Sequence, residues 1–158
     1  MRTGVKAVIT ALTVCSTLLL SAPAAQAAGE WMSKSNPTKV RNNSGTVLGH
    51  AYGKASVSTV NVNNAASYRR VSGDYSIYVR STFYFYYYDS QKKQTGWWWA
   101  DSQVHNGTYT TNKWKTNTRS TKLHPKAEKV RVFSVACTEV PFLVPGNCTG
   151  THIVTMSY

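Results

Sequence analysis

YSIYVRSTFYFYYYD, residues Tyr75 to Asp89, decides the fold. Successive side chains of a strand point to opposite sides, so period two divides the stretch into two faces. Tyr75, Ile77, Val79, Ser81, Phe83, Phe85 and Tyr87 make an apolar, core-type face. Ser76, Tyr78, Arg80, Thr82, Tyr84, Tyr86 and Tyr88 make a tyrosine-rich, more polar one. Nearly every residue is β-branched or aromatic, the types that fit a pleated, half-buried surface. At about 3.3 Å per residue the stretch would run roughly 50 Å, against ~17–20 Å for a common strand. A bend or bulge is therefore expected inside it, at the small pair Ser81-Thr82. The stretch reads as a central strand of an all-β domain.

Its neighbours in the chain support that reading. WWWADSQVH, Trp97 to His105, is the natural antiparallel partner, with Trp97 and Trp99 on one side and Trp98, Ala100 and Val104 on the other. Asn106-Gly107 is a strong hairpin signal. Val57, Val60 and Val62 belong to a strand ended by Asn63-Asn64, and a second short strand covers Ala66 to Val71. Asn112 to Pro125 reads as a long polar loop with an irregular strand. In Glu128 to Thr138, Val130 and Val132 share one face and Arg131, Phe133 and Val135 the other; Thr151 to Tyr158 closes the domain. No helical period follows residue 27. Seven or eight short strands with turns between them predict an antiparallel β-sandwich over residues 55–158, with a barrel as the second choice.

The N-terminus carries the marks of an export leader. Arg2 and Lys6 precede an uncharged apolar run, Ala7 to Leu20, and Ala25-Gln26-Ala27 is a small-x-small cleavage pattern. The run is shorter than the ~20 apolar residues of a bilayer span, so residues 1–27 are expected to be removed and no transmembrane segment to remain. Cleavage there would leave Cys137 and Cys148, an even pair in a secreted chain, which predicts one disulfide. The whole chain has a formal net charge of +12, and losing Arg2 and Lys6 leaves +10. That excess favours acidic partners or simply keeps an exported protein soluble.

Residues 28–54 differ in composition: polar and turn-rich through Pro37, Asn42-Asn43 and Gly45, then small-residue-rich through Gly49 and Gly53. They are expected to form an extended arm outside the sandwich, its small residues allowing close approach to a partner. The candidate docking residues are Trp31, Thr46, Val47, Leu48, Gly49, His50, Ala51, Tyr52 and Gly53. On that expectation, deletion of the arm leaves the sandwich folded.

No GxSxG, HExxH, phosphate-binding glycine loop or cysteine–histidine zinc spacing occurs, so neither a catalytic site, a cofactor nor a metal is expected. Asp101 is the best single polar group beside the tryptophans; His50, His105, His124 and His152 are scattered, and two of them with Glu128 and a lysine could at most form a metal-free ribonuclease site. The ten Tyr and five Trp are the stronger signal. Either both faces of the tyrosine strand are packed, or Tyr78, Arg80, Tyr84, Tyr86 and Tyr88 lie exposed beside Trp97 and Trp99 as a binding surface. Such a surface suits a protein partner or a cell-wall glycan; nucleic acid is not expected.

A short exported chain with an N-terminal arm, one β-domain and a cysteine pair resembles the adaptor subunits of umbrella toxin particles secreted by filamentous soil bacteria. The matching segment is Glu30 to Lys54, above all Thr46-Val47-Leu48-Gly49-His50-Ala51-Tyr52. The resemblance implies an adaptor that links a lectin-bearing subunit to a large toxin subunit through its arm. A secreted, non-enzymatic protein–protein adaptor is thus expected, with a carbohydrate-binding module or a small secreted nuclease as alternatives.

Overall fold

The computed structural model describes residues 27–139 and 146–157. Residues 1–26 of the expected leader and the loop residues Pro141 and Pro145 lie outside them. Nine strands follow in order: β1 (Ala28–Met32), β2 (Thr38–Arg41), β3 (Val47–Val57), β4 (Asn61–Arg70), β5 (Ser76–Asp89), β6 (Gln94–Val104), β7 (Lys115–Lys122), β8 (Lys129–Glu139) and β9 (His152–Ser157). They form two antiparallel sheets. One is four-stranded in the order β6-β5-β8-β9; the other is five-stranded, β1-β3-β4-β7, with β2 also paired to β3. The expected all-β sandwich with one disulfide is the fold observed.

The tyrosine stretch is a single strand at the centre of the four-stranded sheet, held by β6 on one side and β8 on the other. Its apolar face lies in the core as read: Ile77, Val79, Ser81 and Phe83 are fully buried and Phe85 nearly so. The bulge expected at Ser81-Thr82 is absent: β5 pairs with β8 without a shift, and the irregularity, between Phe83 and Tyr84 in the pairing with β6, belongs to β6. Tyr84 stands opposite Trp99 and Phe83 opposite Asp101, so Ala100 is the extra residue of a bulge. The extra residue reverses the alternation beyond it, which is why Val104 is exposed instead of sharing the face of Trp98 and Ala100. Strand β8 alternates as expected, with Val130, Val132, Ser134 and Ala136 buried.

The expected N-terminal arm is corrected by the structure. Residues 28–54 supply β1, β2 and most of β3, and the boundary placed after Lys54 cuts through β3. Strand β3 pairs with β4 from Gly49–Arg70 to Val57–Val62. Val40, Leu48, Ala51 and Ala55 belong to the same core as Phe83 and Val132. The small residues do allow close approach, but within the chain: a Cβ on Gly53 would fall 2.6 Å from Trp31 Nε1, and one on Gly49 would fall 2.5 Å from Ile77. Deleting the segment would therefore remove part of the core, and the expectation of a sandwich folding without it does not hold.

Two turn signals are also corrected. Asn63-Asn64 does not end a strand; Asn64 is fully buried within β4 for a reason given below. Asn106-Gly107 makes no tight hairpin. The chain continues along β5, with Thr108 and Ile77 exchanging backbone hydrogen bonds at 2.9 and 3.0 Å, and then crosses to the other sheet. The polar 112–125 segment contains regular β7, paired to β4 from Asn61–Lys122 to Tyr68–Lys115. Its period-two pattern has no apolar residues to mark it.

Cys137 and Cys148 are bonded as expected. Thr138 N–H donates to Asn147 O at 2.9 Å and Thr149 N–H to Ala136 O at 2.8 Å, so the segment after the loop is already laid on β8. The crosslink adds mainly a restriction on the unfolded chain. Replacing both cysteines with alanine is expected to lower the unfolding free energy by about 2–3 kcal/mol, read from urea midpoints. An unchanged midpoint would show the disulfide to be neutral.

Candidate functional site

The sheet register sorts the sequence-predicted residues into groups. On the outer face of the four-stranded sheet, Tyr84 stands opposite Trp99 on β6 and Arg131 on β8. Tyr86 stands opposite Trp97 and Lys129. The Tyr86 and Trp97 ring centroids are 5.3 Å apart and inclined by 56°; Tyr84 meets Phe133 edge-on at 5.1 Å and 63°. The Arg131 guanidinium lies 4.2 Å from the Trp97 ring centre and the Lys129 ammonium 5.5 Å from that of Tyr86. Each such contact contributes about 0.5–1 kcal/mol at an exposed site and fixes both partners. Trp99 is 61 % exposed, Tyr88 52 % and Ile153, on β9, 54 %. Of the two arrangements open from sequence, the tyrosine ladder is the outward one. Arg131, Phe133 and Lys129 join it, which strand pairing shows and linear order does not.

Tyr78 and Arg80 stand apart from this cluster. With Val104, Asn106, Gly107, Thr138, Glu139, Gly146 and Cys148 they border a separate depression of about 540 Å³ near the disulfide. Asp101 stands opposite Phe83 and so is off the outer face: it accepts Ser102 N–H at 2.7 Å and a hydrogen bond from Gln103 Nε2, so its carboxylate braces β6 just after the bulge.

The expected arm residues divide between inside and outside. Trp31, Leu48, Gly49, Ala51 and Gly53 are buried, Val47 is half-buried, and Thr46 is exposed in the turn before β3. His50 and Tyr52 face outward on the five-stranded sheet. Tyr52 meets Trp114 edge-on at 4.8 Å, and the Arg69 guanidinium covers Trp114 at 4.8 Å. Arg69 Nη2 lies 3.3 Å from His50 Nδ1, donating to it. Burial, then the charges of Arg69, Lys39 and Arg41, hold His50 below the usual histidine pKa. A second ring-and-cation cluster thus lies on the sheet opposite the first.

Between the sheets at one end, Phe85, Tyr87, Trp98, Trp99, Ala100 and Thr121 to Pro125 line a cleft of about 400 Å³. His124 stacks on Tyr87 at 3.9 Å and 15°, and Trp98 Nε1 donates to Tyr87 O at 3.1 Å. The Lys92 ammonium covers Trp98 at 3.8 Å. These contacts hold the rings of the cleft in place.

Among the described residues the one hydrogen-bonded serine–histidine pair lies in the core, joined to a polar network between the sheets. The Asn117 carbonyl can only accept, so His105 Nδ1 carries the proton and donates to it at 3.1 Å. Nε2 therefore accepts from Ser81 Oγ at 2.7 Å. Ser81 Oγ in turn accepts from Asn64 Nδ2 at 2.7 Å, while the second Nδ2 hydrogen reaches Ser134 Oγ at 2.8 Å. Asn64 Oδ1 accepts Trp31 Nε1–H at 3.1 Å. Ser81, His105, Asn64 and Ser134 are all fully buried, so no substrate reaches the pair. The network bolts β1 and β4 of one sheet to β5 and β8 of the other. His152, for its part, stacks on Trp31 at 5.5 Å. The four histidines stand in four different settings.

Among the described residues no helix is long and apolar enough to cross a membrane, and no group of three or more His, Cys, Asp or Glu could hold a metal ion. No family model, curated protein or solved structure matches the chain.

Proposed function

We propose that the chain is a secreted, non-enzymatic adaptor that joins two proteins at opposite faces of one rigid sandwich. The observation that carries this is the pairing of two ring-and-cation clusters, Tyr84–Tyr86–Trp97–Arg131 on one outer face and Tyr52–Trp114–Arg69 on the other. Tyr, Trp and Arg are the residues enriched at interface hot spots. Rings inclined by 56° and 63° make ridges rather than a coplanar platform, which suits a side-chain-bearing protein surface better than a flat polysaccharide. The layout likeness to toxin-particle adaptors, without its free arm, is reduced to one β-domain with a cysteine pair and supports this role only that far. The docking surface it implies is the outward half of β3 together with its neighbours, in place of a free arm.

The test is capture from culture fluid by the immobilised chain, followed by native mass measurement of the complex. Trp99→Ser with Tyr86→Ala is expected to weaken capture at least tenfold, about 1.4 kcal/mol or more, while the loss of the Tyr86 contacts lowers the unfolding free energy by only about 1–2 kcal/mol, leaving the chain folded. Equal capture by the variant would remove the aromatic face from the interaction.

The cleft favours a second reading. Its volume of about 400 Å³ and its fixed rings suit one or two sugar units, stacked on aromatic faces and bonded by Lys122 or His124. Retention on chitin, cellulose or peptidoglycan at moderate salt, lost in Trp98→Ala, would favour the glycan module over the adaptor.

A further inference from the structure

The outer face of the five-stranded sheet carries a row of bases that the fold does not neutralise. Lys39 on β2 stands directly opposite His50 on β3, and His50 directly opposite Arg69 on β4. Strands lie about 4.8 Å apart, so the row spans roughly 10 Å. Arg41, two residues along β2 from Lys39, shares its side of the strand, because Val40 between them is fully buried. Like charges opposed across strands are destabilising. Here the pairing leaves His50 as an acceptor for Arg69 rather than as a further cation.

None of these bases has a carboxylate partner: the single ion pair among the described residues is Arg70 Nη1 to Asp74 at 3.8 Å. Arg69 is held in place by Trp114 and His50, yet its Nε is closed to water and lacks a hydrogen-bond partner among the described residues. Strand β2 pairs with β3 on one side and with no described strand on the other. Charged residues on an edge strand ordinarily prevent another chain from adding to it. Lys39 and Arg41 turn away neutral and basic strands, but they favour one that brings carboxylates.

Resting on the adaptor proposal, we infer that β2 is an edge-docking site for an extended acidic segment of a partner protein, with carboxylates two residues apart. Its backbone pairs with Thr38–Arg41, and its alternate Asp or Glu side chains meet Lys39 and Arg41, with Arg69 behind them. Period two is required on both sides, since Lys39 and Arg41 share one face and successive strand residues do not. The ligand is a protein strand rather than a phosphate polymer because the cations follow the pleat of an open edge. A phosphate chain needs charge but no edge.

The test uses the purified chain and three probes: a blocked ten-residue peptide with Glu at alternate positions and Thr between, the same peptide with Gln for Glu, and inorganic polyphosphate. The Glu peptide is expected to bind, with amide hydrogen exchange slowed at Thr38–Arg41. Binding should weaken at least tenfold in Lys39→Glu/Arg41→Glu and for the Gln peptide. It should be unaffected by Lys93→Glu/Lys126→Glu, an equal charge change at exposed positions elsewhere on the surface. Both β2 substitutions are at exposed positions, and an unchanged unfolding midpoint confirms that the variant is folded. Absence of Glu-peptide binding, binding without protection of β2, or tighter binding of polyphosphate would each overturn the inference. Because no culture-fluid partner is involved, failure here with capture by the aromatic face intact sinks the edge site and leaves the adaptor standing.

Discussion

Asn64→Ala is expected to destabilise the protein by about 4 kcal/mol, a large fraction of the 5–15 kcal/mol that holds a typical domain folded. The side chain is fully buried and makes three hydrogen bonds: Trp31 Nε1 on its oxygen, Ser81 and Ser134 on its nitrogen. Truncation removes three bonds and strands their partners in a space closed to water. An unsatisfied buried group costs about 1–3 kcal/mol, and a half-satisfied network is worse than an apolar core. Asn63→Ala, one residue away, is the control. Asn63 faces out and accepts from Ser120 Oγ at 2.6 Å where water can replace it, so about 0.5 kcal/mol is expected. Urea unfolding of the two variants decides the matter. A loss below 1 kcal/mol at Asn64 would mean that the two sheets are held without this bolt.

Acidification tests the same network from its other end. Burial pulls His105 down to about 4; the bond to the Asn117 carbonyl opposes the shift, and the charge of Arg119 adds to it. The unfolded chain would take up this proton near pH 6.5, whereas the folded chain resists it until about pH 4. The unfolded state therefore binds more protons across that window. His105 stabilises the fold fully above pH 6.5 and loses that contribution as pH falls towards 4, by roughly 3 kcal/mol in total. His50 and His152 are lowered as well and act in the same direction. The measurement is unfolding free energy at several pH values between 7 and 4. In His105→Gln, which can still accept from Ser81 and donate to Asn117, the slope should flatten markedly. An identical slope would assign the acid sensitivity to other groups.

The reach of sequence reasoning differs along the chain for identifiable reasons. Tyr75–Asp89 was legible because alternation there is long and its two faces differ in chemistry; the buried set 77–85 is the one its period gives. Strand β8 was readable for the same reason. Residues 28–54 misled because β3 buries alanines and glycines. Small residues carry little hydrophobic signal, and their packing role exists only when Trp31 and Ile77 lie against them. Asn64 misled in the opposite way. An Asn-Asn pair reads as a turn from local chemistry alone, and only four strands arriving at one point make it a core residue.

The candidate faces show the same division. Tyr84, Tyr86, Trp97 and Trp99 could be named from composition, whereas Lys129, Arg131 and Phe133 joined them only through the β5–β8 register. The bulge at Ala100 decided which way Val104 turns, since a single extra residue shifts parity and no residue type announces it.

Alternation, β-branching and ring content along the chain were enough to determine an all-β sandwich and its central strand, and cysteine count its one disulfide. These are short-range properties, written in the order of residues. Which residues of 28–54 face inward, how a buried histidine stays neutral, and where unneutralised bases line up across β2, β3 and β4 were decided by tertiary structure alone. Each depends on side chains from strands far apart in sequence meeting within a few ångströms, and the energies of burial, hydrogen bonding and charge are set by that distance.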